Sequence, residues 1–319
     1  MKKRLMVLIG LIISIFALIS IFSVMLVNAV THPVAADRPT SANLTWQSVL
    51  GVLKSGIAIP KFSGKTPSRY DLQYENVSFE SRDSLLLKGW YIPAEDPKGT
   101  IIIAHGWGAS KESMLKYAKL LNRNGYNTFL FDFRGFGESQ GNFTSLGYYE
   151  RYDVLAAVDY LRTRQDVDVR KIGVLGFSMG CAASILAARE ERPFRAMVLD
   201  SCYTSINQNA ARRMEKASIP KQFANSVTLM GSLVQGFNAF NLAPIKYIDE
   251  VHSPLLIMHG SRDEFVSVEE ITEMYSRAAD PKELWIVEGG KHVGLHRQDS
   301  NKYEENVVSF LDMYFVGAG

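Results

Sequence analysis

The sequence has few cysteines, no net basic charge beyond its first four positions, and no motif of metal ligands. Once Lys2, Lys3 and Arg4 are set aside, 32 basic and 33 acidic side chains remain and nearly balance. A nucleic-acid-binding protein needs basic residues concentrated on one face or one helix. The charge balance therefore excludes nucleic acid as a partner.

Metal and disulfide chemistry find little support in the sequence. The six histidines show neither an H-E-x-x-H pattern nor a closely spaced pair of cysteines beside them, so neither a metal nor a cofactor is implied. The two cysteines, Cys181 and Cys202, each lie next to a predicted strand end. They either pair in an oxidising compartment or are inert buried thiols, and their positions favour the second interpretation.

The amino terminus contains an uncharged apolar run from Leu5 to Val27. A bilayer requires about 20 apolar residues, whereas the apolar region of a secretory signal has about 7 to 15. The length of the run therefore predicts that residues 1–28 form an uncleaved membrane anchor. The alternative is a secreted protein whose signal is cleaved after "VNA", before Val30, or after "VAA", before Asp37.

The basic start "MKKR" has no counterpart just after the apolar run. Positive charge is retained on the cytoplasmic side of a membrane, so we expect a single-pass protein with a cytoplasmic amino terminus and an extracytoplasmic main domain. Residues 29–70 resemble a linker with one amphipathic helix, because Trp46, Val49, Leu50 and Leu53 recur at helical spacing. That helix packs on the main domain or lies in the membrane interface.

From residue 71 to 319 the pattern is that of one α/β domain. Two extended runs around a turn predict a hairpin, and apolar runs without alternation follow, such as "TIIIAHG", "NTFLFDF", "KIGVLGFS" and "PLLIMHG". Strands covered by helices on both faces have this composition. Helical patterns lie between the runs, so the sequence predicts a mainly parallel central sheet with helices on both faces.

A candidate nucleophile lies at the end of one of these runs. Ser178 is flanked by Gly176 and Gly180 in a G-x-S-x-G pattern between a predicted strand and a predicted helix. Glycine is needed on both sides because a sharp strand-to-helix turn brings neighbouring backbone close. Such a turn projects the hydroxyl from the sheet and directs the N–H of Met179 toward the same point.

A serine hydroxyl needs a base, and the base needs an acid. Asp263 follows the strand "PLLIMHG" and His292 follows "LWIVEGG", in the order expected after the serine. Glu264 and Asp200 are rival acids, and Asp263 is preferred because it lies in the loop that usually supplies this group. His292 competes with His296 and is preferred because Gly-Gly precedes its loop.

The remaining histidines are given no proton-transfer role. His105 and His259 end their strands, where a histidine more often makes structural hydrogen bonds. The loop "HGWGAS" is expected to supply the second oxyanion donor, through the N–H of Trp107.

These stretches resemble the α/β-hydrolase superfamily across residues 75–316. The resemblance is carried, in order, by "HGWGAS", "FDFRGFGES", "GFSMG", "PLLIMHGSRDEFV" and "GGKHVG". With the amino-terminal anchor, the chain is similar to membrane-anchored serine hydrolases. The resemblance implies a triad of Ser178, Asp263 and His292, and structural rather than catalytic roles for Asp132 and Arg134.

The insertion at about residues 203–247 is longer than a crossover requires and predicts a small helical cap. It combines cationic and apolar residues, which are typical either of a solvated helix beside a packed one or of an acyl-binding wall with a basic entrance. The leading hypothesis is a serine esterase or lipase-like enzyme acting on a small acyl substrate or a lipid. A peptidase or amidase of the same fold and a noncatalytic surface scaffold are the alternatives.

Overall fold

The computed structural model of the protein describes residues 2–37, 46–61 and 63–317. The chain begins with the helix α1 (Lys2–Thr31), in which an 18-residue window has a mean hydropathy of 3.0 and the span Lys3–Thr31 is long enough to cross a bilayer. A parallel two-stranded sheet, β1 (Val34–Ala36) with β2 (Ala58–Pro60), flanks the helix α2 (Trp46–Ser55). The predicted linker helix corresponds to α2, although the side chain of Trp46 lies outside the described residues.

An eight-stranded sheet forms the centre of the main domain, in the order β10-β9-β8-β7-β5-β6-β4-β3. Strands β3 and β4 form an antiparallel hairpin, β4 pairs antiparallel with β6, and the other neighbours are parallel. The strands are β3 (Glu75–Glu80), β4 (Leu86–Ile92), β5 (Gly99–Ala104), β6 (Tyr126–Phe131), β7 (Ile172–Phe177), β8 (Met197–Asp200), β9 (Leu255–Gly260) and β10 (Lys282–Val287). The predicted hairpin and mainly parallel sheet are confirmed.

Helices cover both faces of this sheet, so its central strands are buried along their whole length. Two apolar clusters lie on opposite sides: one includes Phe129 and Val174, and the other includes Ile101 and Leu175. The helices of the domain are α3 (Leu115–Arg123), α4 (Glu150–Arg162), α5 (Met179–Glu191), α8 (Val268–Arg277), α9 (Leu295–Gln298) and α10 (Ser300–Phe315).

The predicted cap is formed by two helices inserted between β8 and β9. These are α6 (Ile206–Lys216) and α7 (Phe223–Gln235). The inner end of α1 packs against them, with Phe22 and Leu26 in one apolar cluster with Met214 and Ala224. The amino-terminal helix is therefore joined to the cap over its last turns and is exposed over residues 3–18.

Candidate active site

Ser178 lies at the sharp turn from β7 into α5. Its backbone has a φ of 48° and a ψ of −105°, a conformation that non-glycine residues rarely adopt. A Cβ on Gly180 would lie 2.1 Å from the carbonyl oxygen of Ala104, and one on Gly176 would lie 3.0 Å from the backbone of Cys181. The turn therefore requires glycine at both positions, as the sequence predicts.

The structure brings the three predicted triad side chains together. His292 Nε2 lies 3.0 Å from Ser178 Oγ, and His292 Nδ1 lies 2.6 Å from Asp263 Oδ2. These are hydrogen-bond distances, and they place the imidazole between the hydroxyl and the carboxylate. The arrangement allows the imidazole to take a proton from the serine while its Nδ1–H donates to the aspartate.

Asp263 is held firmly and stays ionised. Its side chain is buried, and its Oδ1 accepts hydrogen bonds from the N–H groups of Phe265 at 2.8 Å and Val266 at 3.1 Å. Burial alone would raise the pKa of this carboxyl, but the hydrogen bond and charge of His292 and the backbone donors outweigh it and lower the pKa below its ordinary value. The acid therefore remains a carboxylate at neutral pH.

The rival acids do not reach His292. Asp200 accepts hydrogen bonds from Ser201 Oγ at 2.8 Å and from the hydroxyl of Tyr303 at 3.0 Å, and burial raises its pKa to about 6. Glu264 is exposed and forms an ion pair with Lys216. Of the three acids, Asp263 is the one that contacts the imidazole.

His105 and His259 make other hydrogen bonds, although His259 Nε2 lies 3.9 Å from Asp263 Oδ2. His105 is buried, with its Nε2 accepting from the N–H of Phe133 at 3.0 Å and its Nδ1 2.8 Å from the carbonyl of Gly106, and burial lowers its pKa. His259 is also buried, lies 3.1 Å from the Val266 carbonyl through Nε2, and has a pKa lowered by burial. Both are neutral hydrogen-bonding groups.

His296 packs edge-on against two tyrosine rings at 5.4 and 5.5 Å, in the short helix α9. Cys181 and Cys202 are free and buried. The favoured interpretation of these cysteines as buried thiols agrees with this arrangement.

Two backbone segments border the serine where oxyanion donors are predicted. Met179 is the first residue of α5, so its N–H has no acceptor within that helix. Trp107 follows Gly106, where an added Cβ would lie 3.5 Å from Ser178 Cβ. The indole of Trp107 donates to the carbonyl of Val30 at 3.1 Å, which connects this loop to the end of α1.

Asp132 and Arg134 organise loops, as the resemblance implies. Asp132 accepts from the N–H groups of Lys111 at 2.7 Å and Glu138 at 3.0 Å. Arg134 donates to the buried carboxylate of Asp153. Neither side chain contacts the triad.

Sequence reasoning missed the residue that holds the histidine loop. Ser201 has a φ of 56°, and its Oγ accepts the N–H of Val293 at 3.0 Å while donating to Asp200. Val293 is the neighbour of His292 and also has a positive φ of 52°. The sequence feature that could have identified Ser201 is its position immediately after β8, at the same edge of the sheet as Ser178.

A doubly covered, mainly parallel sheet with a serine at a strand-to-helix turn defines the α/β-hydrolase class. The chain has the α/β-hydrolase fold. The sequence model of the family described as "Serine aminopeptidase, S33" matches residues 95–246.

Relatives of known sequence and structure agree with this assignment. The chain is 28% identical over 230 residues to YqkD of Bacillus subtilis, which covers 71% of this chain and 75% of YqkD. It is 29% identical to YfhR of Escherichia coli strain K12, over 74% of this chain and 80% of YfhR. The structure of the Pyrococcus furiosus esterase Pf2001 superposes with a TM-score of 0.70 and 28% identity, over 81% of this chain and 97% of the esterase.

Proposed function

We propose that this chain is a serine hydrolase that cleaves a carboxylic ester through an acyl-enzyme intermediate. The observation that carries the proposal is the continuous hydrogen-bonded series from Ser178 Oγ through His292 to Asp263. A neutral serine is a weak nucleophile, and this arrangement is the one that activates it. The similarity to the esterase Pf2001 supports an ester as the substrate class.

The reaction proceeds in two halves. In the first, Ser178 Oγ attacks the ester carbonyl while His292 Nε2 takes the hydroxyl proton, and the same imidazole then protonates the departing alcohol. In the second, His292 takes a proton from water, the resulting hydroxide attacks the acyl-serine carbonyl, and the proton returns to Ser178. The ionised Asp263 holds the tautomer and stabilises the imidazolium.

The negative charge on the tetrahedral oxygen is stabilised by backbone donors. We assign this role to the N–H groups of Met179 and Trp107, which border Ser178 from α5 and from the loop after β5. One such donor contributes about 3 to 4 kcal/mol to transition-state stabilisation. The positive end of the α5 dipole adds to the same field.

An aminopeptidase is the second candidate, because the matching family model carries that description. An aminopeptidase must bind the α-ammonium group of its substrate, which calls for a free carboxylate near the nucleophile. The charged cap side chains that contact Phe265, next to His292, are instead the cations Arg213 and Lys216. This charge favours the esterase.

The amino-terminal helix acts as an uncleaved anchor in this proposal. Val27 and Ala29 are buried against the domain, and the carbonyl of Thr31 accepts the N–H of Thr144 at 2.7 Å. Cleavage before Val30 would remove the buried contacts of Val27 and Ala29, and cleavage before Asp37 would also remove the hydrogen bond of Thr31. Mass spectrometry of the chain extracted from membranes should find α1 retained, and a chain beginning at either cleavage site would contradict the anchor.

The anchor also brings the cap to the membrane surface. The exposed residues 3–18 extend about 24 Å along the helix, less than the roughly 30 Å of a bilayer's hydrocarbon layer. The turns of α1 beside the cap must therefore begin within or just beyond the lipid. A membrane lipid is thus a substrate that this enzyme meets directly, with the main domain on the extracytoplasmic side.

A fluorophosphonate probe tests the proposed chemistry on the full chain in detergent micelles. The probe should label the wild-type protein and not the Ser178→Ala variant, whereas Ser184→Ala should be labelled normally. Ser184 lies in the next turn of α5 but donates to the carbonyl of Gly180 at 2.7 Å, away from the imidazole. Absence of labelling in folded wild-type protein would favour a noncatalytic scaffold.

A further inference from the structure

The cap helix α6 carries three cations on two successive turns, and two of them are neutralised. Arg212 lies 2.9 Å from the carboxylate of Glu270, and Lys216 forms an ion pair with Glu264. The third cation is Arg213. Within the described parts of the chain, no carboxylate lies within ion-pair distance of its guanidinium.

Arg213 is nevertheless fixed in place and partly withdrawn from solvent. Its Nε donates to Asn209 Oδ1 at 2.8 Å, and its Cζ lies 4.0 Å from the ring centroid of Phe265. Burial lowers its pKa to about 10, although the charge of Asp263 acts in the opposite direction. A cation desolvated without an anionic partner destabilises the unliganded protein, and such a cost is offset when an anion binds.

The position of this guanidinium relates it to the reaction. The Phe265 ring that it covers also contacts the catalytic imidazole, with a centroid separation of 5.2 Å from His292. The guanidinium therefore lies no more than about 9 Å from the His292 ring, because the two contacts share the Phe265 centroid. An ester whose carbonyl is at Ser178 can extend a second functional group over that distance.

We propose that Arg213 binds an anionic group, a carboxylate or a phosphate, on the ester substrate. This rests on the proposed esterase function and specifies its substrate class as anionic acyl esters. With Nε engaged by Asn209, both terminal nitrogens remain for the anion, and a guanidinium offers paired donors that match carboxylate and phosphate geometry. The anion is either a phospholipid headgroup or a charged group of a soluble ester.

Two ester pairs measure this preference and distinguish the sources of the anion. The soluble pair is 4-butyryloxybenzoate and 4-butyryloxybenzamide, which share the acyl group and differ in charge. The lipid pair is lysophosphatidic acid and monooleoylglycerol in micelles. The full chain should have a higher kcat/KM for the anionic member, and the pair with the larger ratio identifies the source.

The Arg213→Gln variant should lower the anionic-to-neutral ratio of kcat/KM by about tenfold or more, as loss of a charge-assisted hydrogen bond does. Arg213→Lys should recover part of the ratio, because it retains the charge. The matched control is the neighbouring Arg212→Gln, which removes a paired cation and should leave the ratio unchanged. A similar loss for both esters would show that Arg213 only supports Phe265 and would overturn the proposal, as would no change at all.

A measurement without turnover separates this proposal from the esterase function. Inorganic phosphate should raise the Tm of the full chain and of Arg212→Gln, and this rise should be absent in Arg213→Gln. If no ester is hydrolysed and the fluorophosphonate probe does not label Ser178, the proposed function fails, and the phosphate effect still decides whether Arg213 is an anion site. Equal phosphate stabilisation of all three proteins would reject the site.

Discussion

Replacing Asp263 with asparagine should abolish most activity by selecting the wrong tautomer of the imidazole. In the wild-type protein, Oδ1 accepts two backbone N–H groups, at 2.8 and 3.1 Å, and Oδ2 faces His292 Nδ1 at 2.6 Å. The asparagine oxygen must keep the position of Oδ1, because the amide NH₂ cannot accept those two donors. The NH₂ is then directed at Nδ1.

This orientation forces Nδ1 to accept and places the imidazole proton on Nε2, beside Ser178 Oγ. The base then has no lone pair for the serine proton. The expected loss in kcat is about 10⁴-fold, which corresponds to about 5 kcal/mol of transition-state stabilisation. KM should change little, because Asp263 does not contact the substrate.

The assay is the hydrolysis of 4-nitrophenyl butyrate by the full chain in detergent, with kcat and KM determined separately and Tm measured as a check on folding. Glu264→Gln is the control, because it changes the adjacent acid, which is exposed and paired with Lys216. It should keep close to wild-type kcat. A folded Asp263→Asn protein that retains more than about a tenth of wild-type kcat would refute the tautomer argument.

Two further predictions concern stability. Because burial raises the pKa of Asp200 to about 6, ionising this carboxyl destabilises the folded protein at neutral pH. Asp200→Asn should therefore raise the free energy of unfolding by up to about 3 kcal/mol near pH 8. This gain should disappear as the pH falls through 6 toward 4, because the wild-type carboxyl is then protonated. A higher Tm of the variant that persisted near pH 4 would show that the ionisation of Asp200 is not what destabilises the wild-type protein. Gly180→Ala should lower Tm and suppress fluorophosphonate labelling, because its Cβ would meet the carbonyl oxygen of Ala104 at 2.1 Å. The control Gly51→Ala, in α2 with no atom within 4 Å of the added Cβ, should be tolerated or slightly stabilising, and equal effects of the two substitutions would contradict the steric argument.

The central sheet and the position of the serine were predictable because their causes are local. A strand buried on both faces must be apolar throughout, and that requirement is visible in β5, β7 and β9 without any contact being known. The close approach of Gly180 to the backbone of β5 likewise leaves a glycine in the sequence. The convergence of Asp263 and His292 followed from the sheet, since the carboxyl ends of parallel strands share one edge.

Side-chain partners across the domain were not predictable in the same way. The sequence contains Asp200, Ser201 and Tyr303, but nothing in it indicates that the tyrosine hydroxyl, about a hundred residues away, donates to that aspartate at 3.0 Å. The sequence also does not show that Arg213 has no carboxylate beside it among the residues that the structure describes, because Glu215 is close in sequence but pairs with Lys221. Such pairings depend on how the helices are set against each other.

The packing of the final helix could be predicted from its apolar spacing. The final helix α10 buries Tyr303, Val307, Phe310 and Leu311, which recur at helical spacing along one face. The docking of α1 had no such signal. A helix that is apolar all around gives no indication of which face meets the cap.

The positive φ of Ser178 affects the thermal stability of the protein. A serine held at a φ of 48° is strained by about 1 to 3 kcal/mol relative to a residue without a side chain. A glycine there should give a catalytically dead protein that melts at a higher temperature than the working one. Selection for thermal stability alone would thus favour an inactive glycine at position 178. The serine is retained only while selection also requires hydrolase activity.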